Sequence, residues 1–241
     1  MAQWRDQGIV LSTRKHGETA AIVDVFTPSK GRHAGLVRGG AGRKMAAALQ
    51  IGTQVEATWK ARLEEHLGTL TLEPLRLRFA GILSDPLALA GMSATASLLM
   101  LALPERQPYP SLYADTQTLL DLICTTDAWP LAYLQWEMQF MAQLGFGLDL
   151  SKCAVSGQRD DLAFISPKSG CAVARGQGGE WESRLLPLPA CLIGQTPCQN
   201  KDIHQGLQVT GFFMNKWLIP ALGKNHLPEA RGRLLDRLRQ F

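Results

Sequence analysis

Lys30, Arg32, Arg38, Arg43 and Lys44 fall within residues 25–44 (VFTPSKGRHAGLVRGGAGRK), a stretch without a carboxylate that also holds Gly31, Gly35, Gly39, Gly40 and Gly42. Cations and glycines at this density suit phosphate, because a bare backbone can approach the anion closely and the side chains neutralise it. Two enzymatic versions of that chemistry fail on spacing. A phosphate-binding loop of the nucleotide-hydrolase type needs GxxxxGK[ST]. Here Gly42 is followed by Arg43, and Lys44 by Met45. No GxGxxG follows a strand and opens a helix, so a dinucleotide fingerprint is missing as well. A nucleic-acid backbone and a solvated turn remain.

Other catalytic constellations are absent. His16, His33, His66, His204 and His226 have no metalloprotease spacing, and no serine sits in a GxSxG elbow. Glu64-Glu65 and Asp160-Asp161 are adjacent acids in loop-like surroundings, which reads as solvated turn chemistry rather than proton transfer. The five cysteines, Cys124, Cys153, Cys171, Cys191 and Cys198, contain no CxxC pair. A structural zinc usually takes four Cys or His ligands. Ser156 and Ala174 stand three residues after Cys153 and Cys171 and cannot act as thiolates. No cofactor is expected, and the protein reads as a non-enzyme.

The elements that must position the cations are strands. Residues 1–78 contain β-branched or alternating runs at 8–11, 20–26, 32–38, 53–62 and 68–77. Pro28 and Gly31 punctuate residues 27–31 as a reverse turn, and a helix-permitting segment at 43–49 separates the third and fourth strands. Five short strands interrupted after the third suit a closed barrel of the OB type, although an SH3-like barrel fits the strand count nearly as well. Trp59 alternates with Val55 and Ala57 and is expected in the core, while Trp4, Phe26 and Phe79 are the other aromatics of this region.

After Asp85-Pro86 the pattern becomes helical, over 87–103, 111–124, 130–144, 199–222 and 229–239. Trp136 and Phe140 share a helix face with core spacing. Residues 149–185 are loop-rich. The fold expected from the pattern is therefore α+β and multidomain: a five-stranded barrel of the OB or SH3-like type in 1–80, then a mainly α-helical domain in 81–241 with a small loop or hairpin insertion at about 149–185. The formal net charge is +4, but residues 1–78 carry 12 Lys and Arg against 7 Asp and Glu, and the rest 13 against 14. The positive charge is concentrated in the barrel, which calls for a polyanionic partner there. The candidate nucleic-acid-binding residues are Arg14, Lys15, Lys30, Arg32, Arg38, Arg43, Lys44, Lys60 and Arg62, with Arg5 adding charge nearby. Residues 39–44 are expected to form a mobile basic connection. Scattered cysteines, the lack of a long apolar run and an N-terminus without a signal-like core suggest a cytoplasmic protein.

The order of residues 8–11 (GIVL), Gly17-Glu18, 25–27 (VFT), 30–32 (KGR), 37–39 (VRG) and 67–71 (LGTLT) resembles the N-terminal domain of the RecO family of bacterial recombination mediators. The likeness extends through the helical region. It implies an N-terminal OB-fold and a helical C-terminal domain. It also implies binding of single- and double-stranded DNA, annealing of strands coated by single-strand-binding protein, and a complex with RecR that assists RecA loading at gaps and breaks. The C-terminal tail of single-strand-binding protein is a further implied partner, and the cytoplasmic protein would be nucleoid-associated. Many family members hold zinc through two CxxC pairs, and this chain departs from them at Ser156 and Ala174. Its hairpins would then hold by packing of Phe164, Ile165 and Val173. Two rival readings stay open on sequence: a protein-interaction adaptor that binds no DNA, and an OB-fold RNA-binding factor.

Overall fold

A computed structural model describes residues 2–195 and 197–240, except for the side chains of Arg43 and Lys44. The chain begins with strands β1 (Ala2–His16), β2 (Ala20–Thr27) and β3 (Gly31–Val37), a short helix α1 (Arg43–Ala46), and strands β4 (Gln54–Ala61) and β5 (Thr69–Arg76). The five strands close into a barrel in the order β1-β2-β3-β5-β4. β1 pairs antiparallel with both β2 and β4, and β3 meets β5 in parallel at Leu36 and Thr69. That crossed order, with β5 inserted between β3 and β4, is the Greek-key arrangement of an OB-fold and decides between the two barrel types.

β1 is longer than the 8–11 run suggested, because its two halves serve different neighbours. Residues 2–9 pair with β4 and residues 9–16 with β2, and a register shift between Val10 and Ser12 bends the strand around the barrel. Inward positions alternate as a barrel requires. Val10, Ala21, Val23, Val25, Val37, Val55, Ala57, Trp59, Leu70 and Leu72 form one buried cluster, so Trp59 is core, as expected. Gly35 permits the closure itself: a Cβ there would lie 2.6 Å from Leu70 Cγ.

Helices α2 (Pro86–Ala102), α3 (Pro110–Ile123) and α4 (Trp129–Gln143) follow. Asp85 caps α2, accepting hydrogen bonds from the Leu87 and Ala88 amides at 2.9 and 3.0 Å, and Pro86 opens its first turn. A three-stranded sheet comes next, made of β6 (Leu162–Ile165), β7 (Ala172–Ala174) and β8 (Leu186–Pro187) in the order β7-β6-β8. The chain continues through α5 (Asn200–Phe213), a π-helical turn at Met214–Leu218, α6 (Ile219–Ala221) and α7 (Glu229–Leu238). Among the described residues, no helix is long and apolar enough to cross a membrane.

By compactness the chain divides into two units, Met1–Thr126 with Pro228–Leu234, and Asp127–Leu227 with Leu235–Phe241. Strand gives way to helix near residue 80, but α2 and α3 group with the barrel. Two contacts tie α3 to it. The outward-facing Phe26 ring meets Tyr113 of α3 edge-on at 5.5 Å. Arg78, 3% exposed, donates to Asp121 Oδ1 at 2.6 Å, to the Gly52 carbonyl at 3.1 Å and to Gln54 Oε1 at 3.0 Å. One guanidinium thus ties α3 to the start of β4.

In the second unit Tyr133, Trp136 and Phe140 are buried, with the last two rings stacked at 5.3 Å. Thr210 on α5 donates to the buried Glu137 carboxylate on α4 at 2.6 Å. The insertion packs Cys153, Val173 and Ala174 against Leu162, Phe164 and Leu185. Ile165 is also fully buried.

Candidate nucleic-acid interface

The strand register sorts the candidate cations into two groups at opposite ends of the barrel. At one end, Lys15, Ala21 and Val37 are aligned across β1, β2 and β3, as are Arg14, Ile22 and Leu36. Arg38 continues β3 one residue beyond Val37. Arg14, Lys15 and Arg38 are exposed. Strands about 4.8 Å apart place β1 and β3 about 10 Å from each other, so these cations face solvent within one patch. The basic connection leaves from there. It is wound into consecutive turns, with Gly40, Gly42 and Met45 amides donating to the carbonyls of Val37, Gly39 and Gly42 at 3.0–3.2 Å. The Ala41 amide also donates to Thr19 between β1 and β2 at 3.1 Å. The mobile connection expected from the glycines is therefore a hydrogen-bonded one. Gly39 supplies the left-handed residue at φ +68, and Gly40 lies too close to Ala21 for a side chain. The side chains of Arg43 and Lys44, the two remaining cations of this stretch, lie outside the described residues.

At the other end stand Lys30 in the β2–β3 turn, Lys60 on β4 and Arg62 just beyond it, all exposed. Asp6 holds the turn by accepting from the Ser29 amide at 3.1 Å and the Ser29 hydroxyl at 2.7 Å. Among the described residues, no salt bridge engages Arg14, Lys15, Lys30, Arg38, Lys60 or Arg62. Arg5, by contrast, is paired with Glu56 at 2.8 Å.

Arg32 is the correction to the candidate set. Its side chain is 16% exposed, with Nη1 3.1 Å from Asp24 and 3.5 Å from Glu105, and Nε donating to the Leu103 carbonyl at 2.9 Å. Outward-pointing residues of β3 read as solvent-facing in sequence. Here the segment after α2 runs alongside, bridging Glu105 to Arg32 in parallel. The guanidinium is engaged in holding that segment to the barrel.

The same segment supplies a cation that sequence reasoning missed. Arg106, at φ +64, donates its amide to the Arg32 carbonyl at 2.8 Å and Nη2 to the His66 carbonyl at 3.1 Å. This brings its charge to the open end of the barrel. A cavity of about 270 Å³ lies there, lined by Trp4, Lys30, His33, Trp59, Glu64 and Arg106 among others. Trp4 and Trp59 stack nearly parallel at 6.1 Å, and the His33 ring lies steeply inclined to both, at 5.0 and 4.7 Å. Trp59 donates Nε1 to the Leu67 carbonyl at 2.8 Å. Trp4 Nε1 and both His33 ring nitrogens are buried without a partner. Burial, then the charges of Arg106 and Lys30, push the His33 pKa down from 6.5 to about 4, so the ring is neutral at physiological pH. Trp4 was visible in sequence as an aromatic of the barrel region. Arg106 carried no signal, because only the fold brings residue 106 beside residue 32.

Comparison with known proteins gives the family. Residues 1–78 match the model described as Recombination protein O N terminal, and residues 83–224 the one described as Recombination protein O C terminal. The chain belongs to the recombination protein O family. Among its curated relatives is the DNA repair protein RecO of Ruegeria sp. (strain TM1040), 54% identical over 235 residues and 98% of each chain. The DNA repair protein RecO of Cereibacter sphaeroides (strain ATCC 17029) is 52% identical over 238 residues, 99% of each chain. That of Roseobacter denitrificans is 51% identical over 234 residues, 97% of each.

The residues present do not fit the zinc that many members of this family hold. Cys153 Sγ accepts from the amides of Val155, Ser156 and Ala174 at 3.4, 3.5 and 3.3 Å, the cradle of a metal knuckle. Burial opposes ionisation of this thiol, but the hydrogen bonds from Ser156, Ala174 and Val155 outweigh it and bring the pKa down to about 7. The partner thiolates are missing. Ser156 turns its hydroxyl to Gln158 at 3.1 Å, position 174 is an alanine, and Cys171 Sγ faces the Ser169 carbonyl at 3.8 Å. Among the described residues, no three of His, Cys, Asp and Glu gather as a metal centre requires. Val173, Ala174, Leu162 and Phe164 pack around Cys153.

Proposed function

We propose that this member of a DNA repair and recombination family binds DNA by its phosphates through the barrel, and acts without catalysis. Arg14, Lys15 and Arg38 form one contact region, and Lys30, Lys60, Arg62 and Arg106 form the other; Arg43 and Lys44, whose side chains lie outside the described residues, are counted with them on sequence alone. The observation that carries the reading is that, among the described residues, cations at both ends of the barrel stand exposed without an ion pair, whereas Arg5, Arg32 and Arg78 are all engaged. Uncompensated charge of this kind is neutralised by a polyanion with release of counterions, without reading sequence.

Annealing follows from the same physics. Two complementary strands repel each other until their phosphates are screened, and a basic surface that holds a strand by its backbone leaves base edges free to pair. In this reading the protein anneals strands coated by single-strand-binding protein, engages the C-terminal tail of that protein, and works with RecR to help load RecA at gaps and breaks. It does so in the cytoplasm, associated with the nucleoid and without bound zinc. The test is annealing of complementary oligonucleotides precoated with the cognate single-strand-binding protein. Acceleration by the folded full-length chain, abolished as salt is raised, is the expected result. No acceleration by a folded sample removes the proposal.

A further inference from the structure

The open end of the barrel has the chemistry of a binding site, not of a finished core. Trp4 Nε1 and His33 Nδ1 and Nε2, on two rings whose centroids lie 5.0 Å apart, are buried with no hydrogen-bond partner. A native core leaves few such groups, since each one forfeits its bonds to water. They lie beneath a cavity whose rim carries Lys30 and Arg106. The backbones of both cations are fixed, Lys30 by its amide on Thr27 Oγ1 at 3.0 Å and Arg106 by its amide on the Arg32 carbonyl. Residues 2–8 of β1 pair with β4 on one edge only, because β2 pairing begins at Ile9.

We propose that the barrel mouth receives one unstacked base of a bound single strand, laid against the Trp4 indole, with adjacent phosphates on Lys30 and Arg106. This rests on the DNA-binding reading above and deepens it. A nucleobase is flat, so it can stack on an indole as any base can. Its edge carries donors and acceptors side by side, which match a neutral imidazole offering one of each and an indole offering a donor. About 270 Å³ suits a single heterocycle, being just below the ~300–1,000 Å³ of typical small-molecule sites. A base inside a duplex is stacked on both faces and cannot enter, so this end of the barrel engages single strands.

The experiment compares a thymidine oligonucleotide with an abasic strand of equal length and charge, by fluorescence anisotropy with the full-length protein at fixed salt. The unmodified chain is expected to prefer the base-bearing strand by about tenfold, the lower part of the range for base–aromatic stacking. Trp4→Ala should abolish that preference. Trp4→Phe, which keeps a ring and guards against a folding defect, should retain part of it, with thermal melts confirming the fold of each. Equal affinity for the two strands in the unmodified chain, or an undiminished preference in Trp4→Ala, overturns the base site but leaves phosphate binding standing. Failure to bind either strand at low salt overturns the DNA reading and this inference with it.

Discussion

Replacing His33 by phenylalanine should change how the stability of the protein depends on pH, by an amount that follows from the ring's surroundings. His33 is 4% exposed against two indoles, with Arg106 and Lys30 of like charge at the same cavity and Glu64 the opposing carboxylate there. Its pKa is lowered to about 4, first by burial, then by Arg106 and Lys30. In the unfolded chain it returns to about 6.5. Above pH 6.5 both states carry a neutral ring and stability is at its full value. As pH falls from 6.5 towards 4 the unfolded chain takes up the proton first, so folding weakens across that window. At about 1.4 kcal/mol per pH unit the loss approaches about 3 kcal/mol at the lower limit and is about 2 kcal/mol at pH 5. His33→Phe removes the titrating group and both unpartnered nitrogens while keeping a ring of similar size. Its stability at pH 7 should be equal or slightly higher. Urea unfolding of the two proteins at several values between pH 7 and pH 4.5 reads the difference directly, because every other titrating group cancels. The original chain should lose about 2 kcal/mol more than the variant by pH 5. Parallel curves across that window would refute a buried, neutral His33.

Joint substitution of Arg14, Lys15 and Arg38 by glutamine should lower the salt slope of single-strand affinity by about 2, at roughly 0.7 for each phosphate no longer neutralised, with little change in melting temperature; an unchanged slope places the phosphates elsewhere. Arg32→Gln should behave oppositely, weakening the fold because Asp24 and the Leu103 carbonyl are left without the guanidinium, while sparing the salt slope. Arg78→Met should destabilise the chain by about 3 kcal/mol in denaturant unfolding, since the buried guanidinium serves Asp121, Gly52 and Gln54 together. A change below about 0.5 kcal/mol would contradict that role. Gly31→Ala should destabilise by about 2 kcal/mol or more, because φ is +65 and the new Cβ would fall 2.0 Å from the Gln107 carbonyl oxygen. Metal analysis of the purified chain should find no stoichiometric zinc, and a chelator should leave its melting curve unchanged.

Local pattern made much of the barrel legible. Alternation at Val55, Ala57 and Trp59, and at Leu70 and Leu72, is a period-2 signal that any half-buried strand imposes, and those residues do face the core. Pro28 and Gly31 marked the β2–β3 turn because their backbone preferences act over a few residues. The first half of β1 was missed because Arg5 and Gln7 alternate with Trp4 and Asp6, not with aliphatic residues. Cations were equally easy to count and harder to assign. Arg32 and Arg38 look alike in sequence, yet one is locked by a segment about seventy residues away and the other stands exposed.

The sequence by itself determined the run of strands before helices, the excess of positive charge in the first third, the absence of nucleotide-binding spacing and the lack of two zinc-site thiols. Each of these is a property of residue identity over short spacings. Tertiary structure alone decided the closure of β3 on β5, the sorting of the cations to two ends of the barrel, and the meeting of Trp4, His33 and Arg106 at its mouth. Those outcomes depend on which distant segments come to lie side by side. A barrel pairs residues far apart in the chain by backbone hydrogen bonds, which are common to every residue except proline and leave no mark in the side-chain pattern.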